Sequence, residues 1–312
     1  MNISLNPTYY CNFRCSFCYL TDQQLSDRTL LSIDTLHQLL SEVRQYENID
    51  HVDLYGGEPM LLSGEYVSEL KDCLQLHGVK YVNVNTNLSG INKALLDPYF
   101  DISVSYDFTA REKSEQVWRN MALLDREFSV LMLASPQLMR LDPDEMISQF
   151  NLLQNLVSVE IKPYSSNQSN QLPASYKDFE RFVQRWIESP IEKQFEFNNV
   201  HLLQDVLDGV RNSFSDDHIY ITPTGKFAVL EFDLNDNEYF KEYDSFEQYI
   251  IWCAVEKQRV SENAFCSKCK YYGQCLSEHL REVKNLDDGC NGFKGLIDWY
   301  GSRLENKTAD IS

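Results

Sequence analysis

The sequence predicts an α/β fold: a partial (βα)6 barrel over residues 1–200, followed by a small cysteine-rich extension over residues 201–312. Three observations predict it. Short apolar runs alternate with helix-periodic segments six times before residue 200. Polar, turn-forming residues stand at the ends of several of these runs. After residue 215 the pattern changes to a β-hairpin and then to a set of cysteines. Alternating βα units build a parallel sheet with functional groups at the C-terminal strand ends. Six units leave the barrel open.

The strands are read at Asn2–Leu5, His51–Tyr55, Tyr81–Asn85, Ile102–Tyr106, Ser129–Leu133 and Ser158–Lys162. Helical periodicity marks the segments between them, such as Ser32–Tyr46 and Glu65–Leu76. Lys162-Pro163-Tyr164 ends the sixth strand, either as cavity lining or as an ordinary loop entry. Residues 165–175 are polar and loop-like, and a helix is expected from Tyr176 to about Glu188. Beyond residue 215, His218 to Leu230 reads as a hairpin turning at Pro-Thr-Gly. No internal repeat is evident.

After the first strand comes Cys-Asn-Phe-Arg-Cys-Ser-Phe-Cys, which holds Cys11, Cys15 and Cys18 in C-x3-C-x2-C spacing. Three thiolates leave one iron of a four-iron cluster without a protein ligand. The second strand runs into Gly56-Gly57-Glu58-Pro59. Glycines let a backbone approach its neighbour closely. A zinc loop or chance spacing would explain the cysteines but not this segment at a strand end.

On these residues the chain resembles the radical S-adenosylmethionine (radical SAM) superfamily. The resemblance implies a [4Fe-4S] cluster on Cys11, Cys15 and Cys18, with SAM chelating the open iron. It implies that Gly56, Gly57, Glu58 and Pro59 cradle the SAM amino group, with Glu58 offering a carboxylate to the ammonium. Phe17 and Tyr19 would pack adenine. Asn87 follows Thr86 where relatives have a Thr-Asn-Gly turn, and Leu88 replaces the glycine. Ser105 and Asp107 stand where relatives carry Ser-x-Asp near the ribose and methionine of SAM. Turn capping would equally explain Asn87, Ser105 and Asp107.

The later cysteines run Cys266-x2-Cys269-x5-Cys275, with Cys290 after fourteen intervening residues. Four thiolates suit a tetrahedral zinc or a fully ligated four-iron cluster. The segment resembles the SPASM/twitch extension of peptide and sulfatase maturases. Leu230 and His279 stand where the full pattern has cysteines of a first auxiliary cluster. The resemblance therefore implies one closed auxiliary [4Fe-4S] cluster on Cys266, Cys269, Cys275 and Cys290, for electron transfer or support. Cys73 and Cys253 read as small buried apolar residues.

The net charge of −19 and the lack of a basic run exclude a protein built mainly to bind nucleic acid. No apolar stretch has transmembrane length, and Met1 opens directly into a strand, so a cytoplasmic, reducing location is expected. No N-terminal leader-binding domain is expected.

The function implied is reductive cleavage of SAM to a 5'-deoxyadenosyl radical that removes a substrate hydrogen. An external reductant such as flavodoxin or ferredoxin would supply the electron. The expected substrate is a ribosomally made peptide that receives an oxidative cross-link, with a separate leader-binding protein as a further partner. The alternatives are radical oxidation or rearrangement of a small molecule, a sugar or cofactor precursor, and a non-catalytic iron–sulfur sensor or scaffold. GGEP argues against the last, since a sensor needs no SAM cradle.

Overall fold

The computed structural model describes residues 1–173, 175–236, 238–278, 282–283 and 290–309. Ten strands form one continuous sheet. They are β1 (Asn2–Leu5), β2 (His51–Leu54), β3 (Tyr81–Thr86), β4 (Phe100–Ser105), β5 (Phe128–Ala134), β6 (Leu156–Pro163), β7 (Glu196–Phe197), β8 (His218–Ile221), β9 (Phe227–Leu230) and β10 (Phe240–Tyr243). Their order is β10-β9-β8-β1-β2-β3-β4-β5-β6-β7. The run from β8 through β1 to β7 is parallel, and β8, β9 and β10 pair antiparallel. The hairpin is thus stitched to β1, from Asn2 opposite His218 to Leu5 opposite Ile221. The sheet runs across residue 200 without a break.

The helices are α1 (Asp22–Ser26), α2 (Ile33–Val43), α3 (Gly64–Leu76), α4 (Ser114–Ala122), α5 (Pro143–Phe150), α6 (Tyr176–Glu188), α7 (Asn198–Leu207), α8 (Phe246–Glu262) and α9 (Lys294–Ala309). Four begin at a serine whose hydroxyl accepts a backbone N–H of the first turn: Ser32, Ser63, Ser175 and Ser245. Such caps satisfy donors that no helix can satisfy internally. None of the described helices is long and apolar enough to cross a membrane.

The strands position the site through their alternation. Parallel strands covered on both faces normally read as continuous apolar runs. Here Ile3, Val52, Val82, Val104, Val130 and Val159 are buried, while their neighbours Ser4, Asp53, Asn83, Ser103, Ser129 and Ser158 are polar. With a period of two, the polar residues share one face. Ser4, Asp53, Asn83, Ser103 and Ser129 all line a cavity inside the barrel. Their side chains bond across strands: Asn83 Nδ2 to Asp53 Oδ1 (2.9 Å), Ser103 Oγ to Asn83 Oδ1 (2.8 Å) and Ser158 Oγ to Ser129 Oγ (2.7 Å). The opposite face packs against apolar helix faces such as Leu36, Leu40 and Val43 of α2.

Candidate functional site

The cavity measures about 850 Å³ and draws its walls from Asn2 through Glu282. The cysteine loop forms one side. Gly57 N donates to Thr8 O and Glu58 N to Tyr10 O, both at 3.0 Å, so the turn after β2 clamps the backbone leading into the loop. Both glycines are required by that clamp. Gly56 has a φ of +110°, and a Cβ on it would lie 2.5 Å from Thr8 O. A Cβ on Gly57 would lie 2.2 Å from Tyr10 O. Within the loop Cys18 N donates to Cys15 O at 3.0 Å.

Cys11, Cys15 and Cys18 all face the cavity, together with Phe17, Tyr19, Gly56, Gly57, Asn87 and Ser105. Burial raises all three thiol pKa values, that of Cys18 to about 11, with Cys15 and Cys11 adding to the effect. Asn87 Nδ2 lies 3.6 Å from Cys11 Sγ and donates to Asn12 Oδ1 at 3.2 Å. Leu88, in the place of the turn glycine, takes a φ of +48° and is fully buried.

Glu58 is the residue expected to offer its carboxylate to a ligand's ammonium. It is fully buried and absent from the cavity wall. Its Oε1 accepts from Met60 N (2.9 Å) and Thr86 Oγ1 (2.5 Å), and its Oε2 from Asn87 N (2.7 Å). The carboxylate therefore ties the end of β2 to the end of β3, and burial raises its pKa. Pro59 is likewise buried away from the cavity and opens a short 3-10 turn.

Asp107 also turns inward. It is fully buried, accepts from Leu133 N, and pairs with Arg111 at 2.6 Å. Arg111 then reaches the cavity, with Nη1 3.7 Å from Cys15 Sγ and the guanidinium 5.1 Å from the Phe17 ring centroid. Motif reading missed Arg111. The signal available was its spacing of four residues from Asp107, the spacing of a salt-bridged turn.

The opposite wall is aromatic, then charged. Tyr19 stacks on Tyr239 at 4.7 Å and on Tyr55 at 6.1 Å, and Tyr220 lies close by in the lining. Ser169 of the loop after β6 donates to Tyr19 O, which closes that loop over the cysteine segment. Lys162, Pro163 and Tyr164 do line the cavity. Burial opposes the charge on Lys162, but Glu160 and Glu278, each at 2.8 Å, outweigh it and raise its pKa. Glu282 accepts from Tyr176 OH at 2.8 Å, and burial raises its pKa. Leu230 is buried in the same lining.

The structure gathers the C-terminal cysteines apart from this cavity. Burial raises the Cys266 pKa to about 11, with Cys290, Cys275 and Cys269 adding to the effect. A Cβ on Gly292 would lie 2.7 Å from Cys275 Sγ and 3.5 Å from Cys290 Sγ. In neither cysteine set, all of whose members are described, do three sulfurs fall within 4.8 Å of one another. His279 lies outside the described residues. Cys73 and Cys253 are both buried.

Residues 5–110 match the family model of the Radical SAM superfamily. That span contains Cys11, Cys15, Cys18, the Gly56–Pro59 turn, Asn87, Ser105 and Asp107. The chain is 30% identical over 132 residues to a GTP 3',8-cyclase of Gloeobacter violaceus, covering 37% of this chain and 40% of that protein. It is 34% identical over 88 residues to a probable GTP 3',8-cyclase of Sulfolobus acidocaldarius, covering 28% and 26%. The chain thus spans two fifths or less of these curated relatives. Among solved structures, anSMEcpe with bound AdoMet superposes with a TM-score of 0.71, at 16% identity and over the whole of both chains. Streptococcus suis SuiB bound to precursor peptide SuiA superposes with a TM-score of 0.60, at 14% identity, over 88% of this chain and 70% of that one. Over residues 5–110, where the glycine turn clamps the cysteine loop beside the cavity, the chain is similar to the radical SAM superfamily.

Proposed function

We propose that the chain cleaves SAM in this cavity and uses the resulting radical to modify a peptide. The observation that carries the reading is the opening of three cysteine thiols, the Gly56-Gly57 turn and an 850 Å³ cavity onto one another. The donor set fits a four-iron cluster with one open iron. Mononuclear zinc would hold its thiolates about 3.8 Å apart, closer together than three of these sulfurs come.

When bound, the cluster and SAM supply a one-electron cleavage to methionine and a 5'-deoxyadenosyl radical. The chain's own residues bind and position. Gly56 and Gly57 turn the β2 end toward the cavity while fixing the cysteine loop. Glu58 holds that turn against β3. Arg111, anchored by Asp107, puts a guanidinium N–H beside Cys15, where it would donate to a cluster-bound thiolate. Phe17, Tyr19, Asn87 and Ser105 stand within reach of a nucleoside and its methionine. Tyr19, Tyr55 and Tyr239 exclude water between the cysteine loop and the charged wall.

The charge of that wall bears on the substrate. Asp53, Glu160, Asp205, Asp217, Glu278 and Glu282 line the cavity against Arg111, Lys162 and Arg211. Arg111 and Lys162 are already paired with carboxylates. A triphosphate needs unspent cations, because burying an unpaired charge costs several kcal/mol. A neutral or basic peptide suits this wall better. The peptide-bound neighbours, anSMEcpe with Cp18Cys peptide and SuiB with SuiA, support the same reading. The similarity to GTP cyclases favours a second one, a nucleotide substrate.

The C-terminal cysteines would hold one auxiliary [4Fe-4S] cluster that takes the electron left on the substrate. A cytosolic setting, with flavodoxin or ferredoxin as donor, completes the proposal. The test is anaerobic reconstitution with SAM and dithionite, followed by mass spectrometry with peptides or GTP. Absence of 5'-deoxyadenosine from wild-type protein would sink the enzymatic reading, and GTP turnover would sink the peptide reading. Cys15→Ala should abolish cleavage. Cys269→Ala should keep cleavage and lose product.

A further inference from the structure

The outer face of the barrel carries another group of metal-ligand side chains. His37 lies on α2, Cys73 on α3, and His77 at the C-cap of α3. Cys73 and His77 are four residues apart, so they share one face of the helix. One ring nitrogen from each histidine and the Cys73 Sγ lie within 4.8 Å of one another. His77 Nε2 stands 2.9 Å from His37 Nδ1. None of the three lines the SAM cavity.

Two imidazoles and one thiolate are a zinc-type donor set. Bonds of about 2.0–2.1 Å to nitrogen and 2.3 Å to sulfur put tetrahedral ligand atoms roughly 3.3–3.6 Å apart. The ring-to-ring contact of 2.9 Å is shorter than that spacing and all three ligand atoms lie within 4.8 Å, so small side-chain rotations would close the site. A simple hydrogen bond between the two rings accounts for one nitrogen of each. It does not involve the Cys73 Sγ, which lies within 4.8 Å of a nitrogen of each ring. His37 is exposed, which keeps the fourth coordination position open to water.

We propose that His37, Cys73 and His77 bind a divalent metal of the zinc class and clip α2 to α3. The site is separate from the iron-binding cysteines. The test uses protein already reconstituted with iron and sulfide, so that those cysteines are occupied. Zinc chloride is added anaerobically, the protein is desalted, and zinc and iron per chain are measured by plasma mass spectrometry. Wild-type protein should retain one more zinc per chain than His37→Ala or Cys73→Ser, with equal iron in all three. His37→Ala alters an exposed residue, so its fold is preserved whatever Cys73→Ser does. Zinc should raise the thermal midpoint of wild-type protein and not that of His37→Ala. Equal zinc in wild type and His37→Ala, or an equal thermal shift in both, would overturn the proposal.

Discussion

Gly57→Ala tests the clamp on which the cysteine loop depends. The added Cβ would stand 2.2 Å from Tyr10 O and 2.4 Å from Tyr9 O, both backbone atoms with no rotamer to give way. An unstrained carbon–oxygen contact needs about 3.3 Å, so turn and loop must part by about 1 Å. That movement breaks the bonds Gly57 N to Thr8 O and Glu58 N to Tyr10 O. Two lost hydrogen bonds cost about 1–3 kcal/mol, and overpacking costs about 1–3 kcal/mol more. The thermal midpoint should fall by roughly 5–15 °C. A displacement of this size at a reacting centre costs about 100-fold in rate. The assay is the initial rate of 5'-deoxyadenosine formation with SAM and dithionite at matched iron content. Gly90→Ala is the control, because a Cβ there meets nothing within 4 Å. Wild-type melting together with a cleavage rate within twofold of wild type would refute the clamp.

Gly292→Ala drives a methyl against Cys275 Sγ at 2.7 Å, so iron should fall from about eight to about four per chain while SAM cleavage persists; unchanged iron would contradict the auxiliary cluster. Arg111→Met leaves the Asp107 carboxylate buried without its cation and should cost about 3–5 kcal/mol in denaturant unfolding at neutral pH. Burial already raises the Asp107 pKa, and losing Arg111 raises it further. Between the two values the folded state binds a proton that the unfolded state lacks, so the deficit should be constant above the folded Asp107 value and shrink as pH falls through it toward the ordinary carboxylate range. Leu88→Gly relieves a φ of +48° worth about 1–2 kcal/mol but empties a fully buried site worth about 2–5 kcal/mol. A net loss is expected by denaturant titration, and a stabilised variant would show that the strain dominates.

The features legible in the sequence were those whose cause is local. Apolar runs set between helix-periodic segments marked β1 to β6, and the structure shows each with an apolar outer face and a polar inner one. The helix expected from Tyr176 to about Glu188 is α6, with Ser175 as its cap. β7 has two residues, and β10 has the sequence Phe-Lys-Glu-Tyr; each is a strand only because a neighbour pairs with it. The cysteine triad was legible because its three ligands lie within eight residues. Arg111 contacts Cys15 across 96 residues, and Tyr239 meets Tyr19 across more than twice that separation, so no motif window contains either pair. Glu58 shows a further limit. Its carboxylate could be read from the motif, but its direction depends on Thr86 and Asn87, which fold in from the next strand.

The same contrast decides how much weight the cyclase similarity bears on substrate. Those alignments extend over at most 132 residues. The cavity draws on residues from Asn2 to Glu282, more than twice that length. No such alignment can therefore cover the whole wall that a substrate would touch. The superfamily match ends at residue 110, before Glu160, Lys162, Tyr220, Tyr239, Glu278 and Glu282 enter. On the proposed function, cleavage of SAM would rest on groups inside the matched span and on Arg111 just beyond it, whereas choice of substrate would rest on the far wall. Substitutions on the far wall should accordingly alter product formation at constant SAM cleavage. Glu278→Gln is the sharpest case, since it removes one of the two carboxylates on Lys162 without touching the cysteine loop. If it changes the rate of 5'-deoxyadenosine formation without substrate present, the two ends of the cavity are coupled and the division fails.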